Sequence, residues 1–184
     1  LKPSPVFEQV SLPSIIHKED DFNAFNRESL IPRMFAKEGP PIAVGDVNQD
    51  GLEDAFVGGA KNQPGTLMLQ LDQGWKLVKV NDFIDDARSE DVDATFLDAD
   101  GDQDLDLVVV SGGQEEFGKS ETLLPRLYTN DGKGSFTRNR EAFPEIFLHA
   151  SCANEIRWGS SPVRRSVAIG SAEMRLTVPP PSCF

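Results

Sequence analysis

A chain of 184 residues, 39 % hydrophobic with 12 phenylalanines, can bury the core of one or two ordinary domains, which excludes a disordered segment. A formal net charge of −12 argues against nucleic acid and anionic membrane surfaces as partners, and no run of 18 apolar residues offers a membrane-spanning helix. The charge is uneven: residues 151–184 hold four arginines and two glutamates, a net +2, which leaves −14 on residues 1–150.

The first 40 residues open at Leu1 with a polar LKPSPVFEQV and no charged-then-apolar leader; the first residue points to a fragment or a processed product. In HKEDDFNAFNRESLIPRMFAKEGPP, residues Phe22, Phe25, Leu30 and Ile31 offer a weakly spaced helical face before Pro32. The preferred reading of residues 1–40 is the end of a preceding β unit with its connecting loop.

A repeat begins at residue 41. DVNQDGLEDAFVGG (46–59) places Asp46, Asn48, Asp50 and Asp54 at offsets one, three, five and nine. DADGDQDLDLVVVSGG (98–113) places Asp98, Asp100, Asp102 and Asp106 at the same offsets, 52 residues later. An apolar stretch precedes each loop, IAV or ATFL, and a β-rich run ending in Gly-Gly follows it. TLMLQLDQGWKLVKV (66–80) and RLYTNDGKGSFTRN (126–139) then read as antiparallel hairpins around polar, Gly-containing turns. The second hairpin lies 60 residues after the first, and the extra eight fall in a polar insertion around GQEEFGKSETLLP, expected as a surface loop. One unit is thus strand, acidic loop, strand, hairpin, the content of a propeller blade. The expected fold is all-β: a partial β-propeller of two to three four-stranded blades, with one repeat over 41–81 and a second, carrying the insertion, over 82–150.

Crowded carboxylates repel unless water solvates them or a cation sits among them. Hard divalent cations take six to eight oxygens at about 2.3–2.6 Å, which side chains at loop positions one, three and five, a carbonyl at seven and a carboxylate at nine supply. The candidate ligands are Asp46, Asn48, Asp50, the carbonyl of Leu52 and Asp54, then Asp98, Asp100, Asp102, the carbonyl of Asp104 and Asp106. Gly51 stands at position six of the first loop, whereas Gly101 comes two places earlier in the second, which predicts a different turn there. Neither loop contains the His or Cys favoured by zinc or copper, and magnesium keeps more of its waters, so calcium is the expected cofactor. An EF-hand loop would need a carboxylate at position twelve, where Val57 and Val109 stand, followed by a helix instead of β-branched residues.

These loops, with LYTNDGKGSFT as outer hairpin, resemble FG-GAP or VCBS-type repeats, the calcium-loop blades of integrin-α-like propellers. NRESLIPRMFAKEGPPIAVGDVNQDGLEDAFVGGA is similar to secreted bacterial proteins related to cartilage acidic protein. The resemblance covers residues 25–150. It implies a seven-bladed parent, an extracellular or cell-envelope setting, and adhesion or recognition of a protein or glycan in place of catalysis.

Residues 151–184 lack Asp and bring arginines and a Pro run where a third acidic loop falls due, which reads as a divergent tail or a reading-frame error. Cys152 and Cys183 allow one bridge or two thiols. No GxSxG, HExxH, Walker or Rossmann pattern occurs, so the chain is not expected to be an enzyme. His17 and His149 have no identifiable partner; Asp85, Asp86, Glu90, Asp91 and Asp93 read as loop acids, and Glu115 and Glu116 as solvated. Trp75 reads as core or rim; on an exposed aromatic rim it would favour the alternative function, a carbohydrate-binding module or the propeller of a polysaccharide-degrading enzyme.

Overall fold

The computed structural model describes residues 12–27, 29–30, 39–113, 115–116 and 118–145, and, for the backbone alone, three short strands beyond them. Strands β1 (Ile42–Gly45), β2 (Asp54–Val57), β3 (Thr66–Leu71) and β4 (Gly74–Val78) form one antiparallel sheet in that order. After a single helical turn, α1 (Asn81–Asp85), strands β5 (Glu90–Leu97), β6 (Asp106–Gly112), β7 (Arg126–Asn130) and β8 (Phe136–Asn139) repeat the topology. β9 (Arg157–Trp158), β10 (Ser166–Ile169) and β11 (Ala172–Arg175) make a small third sheet. The rest of the tail, with His149, both cysteines and the reading-frame question, lies outside the described residues. No helix among the described residues is long and apolar enough to cross a membrane.

The registers show the repeat directly. Gly45 pairs with Asp54 and Leu97 with Asp106; Ala55 pairs with Met68 and Leu107 with Tyr128. Each sheet alternates between two faces, as a period of two dictates. Ala43, Phe56 and Leu67 of the first sheet meet Ala94, Leu107, Val109, Tyr128 and Phe136 of the second in one core. The opposite faces carry Ala55, Val57 and Met68 on one side, covered in part by Ile15, and Val108 and Leu127 on the other, packed by Ala142 and Phe143. Gly58 permits the close approach of the sheets, because a Cβ there would come within 2.5 Å of Pro41 and 2.8 Å of the Asp91 Cβ on β5.

Several sequence expectations change. α1 was not foreseen, since one turn is too short to show a helical period. It inserts Phe83 between the sheets, edge-on to Phe56 at 5.3 Å and to Tyr128 at 4.8 Å between ring centroids. In the flank, residues 12–27 contain no strand and only a 3₁₀ turn at Ala24–Asn26, capped by Asn23, whose Oδ1 accepts from the Phe25 amide at 3.1 Å. Phe25 and Leu30 are exposed, so the suggested helical face does not form, and Ile31 lies outside the described residues.

The insertion is anchored. Leu123 is fully buried, Ser111 Oγ donates to the Leu124 carbonyl at 2.8 Å, and Lys61 bridges Glu115 at 2.6 Å and Glu116 at 3.0 Å. Those glutamates are therefore ion-paired, and His17 Nε2 meets Glu19 at 2.7 Å. Glu90, Asp91 and Asp93 are strand residues. Asp91 and Arg126 form a buried ion pair whose carboxylate also accepts from the Gly59 amide at 2.7 Å, tying the two sheets together. Asp86 accepts from the Tyr128 hydroxyl at 2.8 Å and pairs with Arg138. A buried cation needs such a partner, which composition alone does not assign.

Phe83→Ala is expected to lower the unfolding free energy by about 3–5 kcal/mol, read from urea denaturation. Burial, then the charges of Glu19, Glu115 and Asp20, push the Glu90 carboxyl up to about 7 from 4.5, with Lys61 opposing. The folded state therefore holds this proton more tightly; the resulting stability is complete below about pH 4.5 and lost as pH rises through about 7. Glu90→Gln should remove that part of the pH dependence, leaving a variant more stable than the parent at about pH 8 and not at about pH 4.5, measured by thermal unfolding across pH.

Candidate metal centre

Both acidic loops join the first and second strands of their units, and both fold by the same local rules. At position three, Asn48 and Asp100 each accept through Oδ1 from the amide two residues on, at 3.1 and 3.2 Å. At position five, Asp50 and Asp102 do the same for Leu52 and Asp104, at 2.8 and 3.1 Å. Such turns are what short polar side chains offer a reversing backbone. Residues expected only as cation ligands thus also fold the loop.

The second loop keeps the left-handed positions of the first, although its bonds to position one differ. Positions four and six are left-handed in both: Gln49 (φ 59°) and Gly51 (φ 87°) in the first, Gly101 (φ 90°) and Gln103 (φ 76°) in the second. Gly and Gln have exchanged places within one conformation. A non-glycine residue there costs roughly 1–2 kcal/mol, which the surrounding hydrogen bonds offset.

Position nine carries the strongest anchoring. Asp54 and Asp106 have no solvent exposure. Asp54 accepts from the Val47 amide at 3.1 Å through Oδ2 and from the Gln70 amide at 2.8 Å through Oδ1. Asp106 accepts in the same way from Ala99 and Asn130, both at 2.9 Å. Each carboxylate therefore closes its loop and binds the third strand, and its remaining lone pairs are what a cation would use. Burial raises both carboxyls, and the amide bonds oppose the rise.

Position one differs. Asp46 accepts from Asp50 and Gly51 amides at 3.1 and 2.9 Å, whereas Asp98 accepts from Gly101 at 2.7 Å. In the second loop, Asp98, Asp100 and Asp106 bring carboxylate oxygens within 4.8 Å of one another, the one such group among the described residues. Two oxygens on one calcium can lie up to about 5.2 Å apart, twice the bond length, so this spacing is compatible. In the first loop Asn48 replaces the third-position carboxylate and donates through Nδ2 to Asp50 at 2.9 Å, so the structure does not gather Asp46, Asp50 and Asp54 into an equivalent group.

At position seven, Leu52 is partly buried and Asp104 is buried. The loop spacing points only to the carbonyl of Asp104, yet its side chain is the more telling group: Oδ1 is buried with no hydrogen-bond partner among the described residues. Burial, then Asp102, pushes the Asp104 carboxyl up to about 6. Burial also raises Asp100, with the charges of Asp102 and Asp98 adding to it, while the bond from the Asp104 amide lowers exposed Asp102. The second loop is an all-oxygen set whose charges want compensation, and its residues fit a hard divalent cation.

The sequence presents Asn130 only as a turn residue. Its Nδ2 donates to the Val47 carbonyl at 2.7 Å and the Leu105 carbonyl at 3.1 Å, so one side chain joins both acidic loops. The aligned residue of the first unit, Gln70, hides this role from a comparison of the repeats.

No family model matches the chain, and neither does any curated protein.

Gln103→Gly should raise stability by about 0.5–1 kcal/mol, the relief of left-handed strain less the entropy glycine loses on folding. Asp106→Ala should cost at least about 2 kcal/mol, because two buried amides lose their acceptor. Denaturant titration of both variants checks these signs.

Proposed function

We propose that the chain is a non-catalytic, cation-stabilised β-repeat segment of FG-GAP or VCBS type, part of a larger propeller in a secreted or cell-surface protein that recognises a protein or glycan. The observation that carries the reading is the oxygen set of Asp98, Asp100 and Asp106, set in a loop whose backbone turns are duplicated 52 residues earlier. Asp98, Asp100 and Asp106 would hold the ion in the second loop, with Asp104 beside them. In the first loop, whose acids are not gathered in this way, Asp46, Asn48, Asp50 and Asp54 would have to close around the ion as it binds. A bound calcium supplies positive charge that cancels loop repulsion, and it adds folding free energy because the unfolded chain has no such site.

Two further observations support the larger assembly. The units pack face to face with the same strand order. The outward face of the first sheet leaves Ile42, Val44 and Leu77 exposed at 62, 56 and 49 %, an apolar strip that a further unit would cover. Trp75 packs against Ala55, Val57 and Met68, which favours a structural part for it over a sugar-stacking one.

Extracellular calcium modules bind at about 10⁻⁴–10⁻³ M, so about 10 mM calcium should add roughly 1.4–2.7 kcal/mol per site. The thermal midpoint should rise by about 3–11 °C over the value in chelator. Asp100→Asn keeps the turn-forming oxygen and removes the charge; it should reduce the calcium gain while leaving the chelator midpoint equal or higher. A midpoint indifferent to calcium in the parent chain would refute the reading.

A further inference from the structure

At the end of β7 opposite Asn130, five cationic side chains of this acidic chain, Arg88, Lys119, Arg126, Arg138 and Arg140, line one cavity of about 590 Å³. We propose that this cavity binds an anionic sugar, a ring-sized polyol bearing a carboxylate or sulfate group. The proposal rests on the recognition role above and names its ligand class, but it uses none of the loop acids.

The cations are not equivalent. Arg126 is consumed inside the fold by Asp91, by Ser111 Oγ at 3.1 Å and by the Tyr128 hydroxyl at 3.3 Å. Arg138 gives Nη1 to Asp86, yet its Nε is buried with no hydrogen-bond partner among the described residues. Arg88 and Arg140 are exposed and carry no ion pair among the described residues, although carboxylates are abundant throughout the chain. A planar guanidinium fork left open in this way matches an oxyanion.

The remaining lining suits the rest of such a ligand. Ser120 and Thr122 hydroxyls lie 2.7 Å apart at the wall, and exposed Asp85 and Glu121 supply acceptors for hydroxyl groups. Those carboxylates oppose any oxyanion, and the hydroxyl groups of a polyol offset that opposition by donating to them, which a bare inorganic ion cannot do. The volume lies within the range of about 300–1,000 Å³ typical of small-molecule sites. Five of the twelve lining residues, Lys119, Ser120, Glu121, Thr122 and Leu124, come from the insertion that distinguishes the second unit from the first. The opposed charges of loop end and cavity end also keep a cation and an anionic ligand from competing for one site.

Titration calorimetry of the whole chain in about 1 mM calcium, with glucuronate and glucose 6-sulfate against glucose and inorganic sulfate, tests the assignment. Both anionic sugars should saturate the protein with Kd below about 1 mM, at least tenfold tighter than glucose or inorganic sulfate, about 1.4 kcal/mol. Arg88→Ala combined with Arg140→Ala should weaken them at least tenfold with an unchanged thermal midpoint, since both side chains are exposed. Failure of both sugars to saturate, equal binding of inorganic sulfate, or affinity that survives the paired substitution overturns the proposal. Calcium-dependent midpoints of the same samples separate the two readings: sugar binding with a midpoint indifferent to calcium removes the cation reading alone, and the reverse result removes the sugar site alone.

Discussion

Asp54 and Asp106 are aspartates shut away from water, each with both oxygens on backbone amides from different parts of its unit. An isolated buried carboxylate would be expensive, and these two persist because two backbone amides donate to each. The consequence is mechanical. One side chain fixes where the loop starts, where the second strand begins and how the third strand lies beside it. The registers Gly45–Asp54 and Leu97–Asp106 coincide because the same staple sets both.

Around these staples the molecule separates its tasks by layer. Between the sheets, Phe83 holds the aromatic core together and Asp91 with Arg126 supplies a buried polar tie. At the loop end, Asn130 binds both acidic loops to one hairpin through the Val47 and Leu105 carbonyls. At the opposite end of β7 the arginines collect. A net charge of −12 describes none of this, because the charges at the two ends of the fold are local and of both signs.

The strands and the repeat were legible because period-two alternation, turn chemistry and matched acidic offsets all point the same way. The equivalence of the two loops was half visible: the glycine was seen to move from position six to position four, but a glutamine accepting φ 76° at Gln103 is not written in any propensity. The offsets present position nine as a ligand, and its role as a backbone staple is visible only with the third strand in place, since Gln70 and Asn130 are 16 and 24 residues away. Acids such as Asp86 and Asp91 looked like loop charge because pairing with Arg138 and Arg126 depends on contacts 52 and 35 residues apart. α1 is too short to show a helical period, and the turn at Asn130 accounts for that residue without the bonds it makes to the two loops.

Amide hydrogen exchange followed by NMR, with the cation withheld and then supplied, tests the staple most directly. The amides of Val47, Gln70, Ala99 and Asn130 should exchange only through global unfolding in chelator, as slowly as the core strands, and slow further together when calcium is added. Exchange of these four at the rate of exposed loop amides would contradict the account, since the two carboxylates would then not be holding the strands they touch.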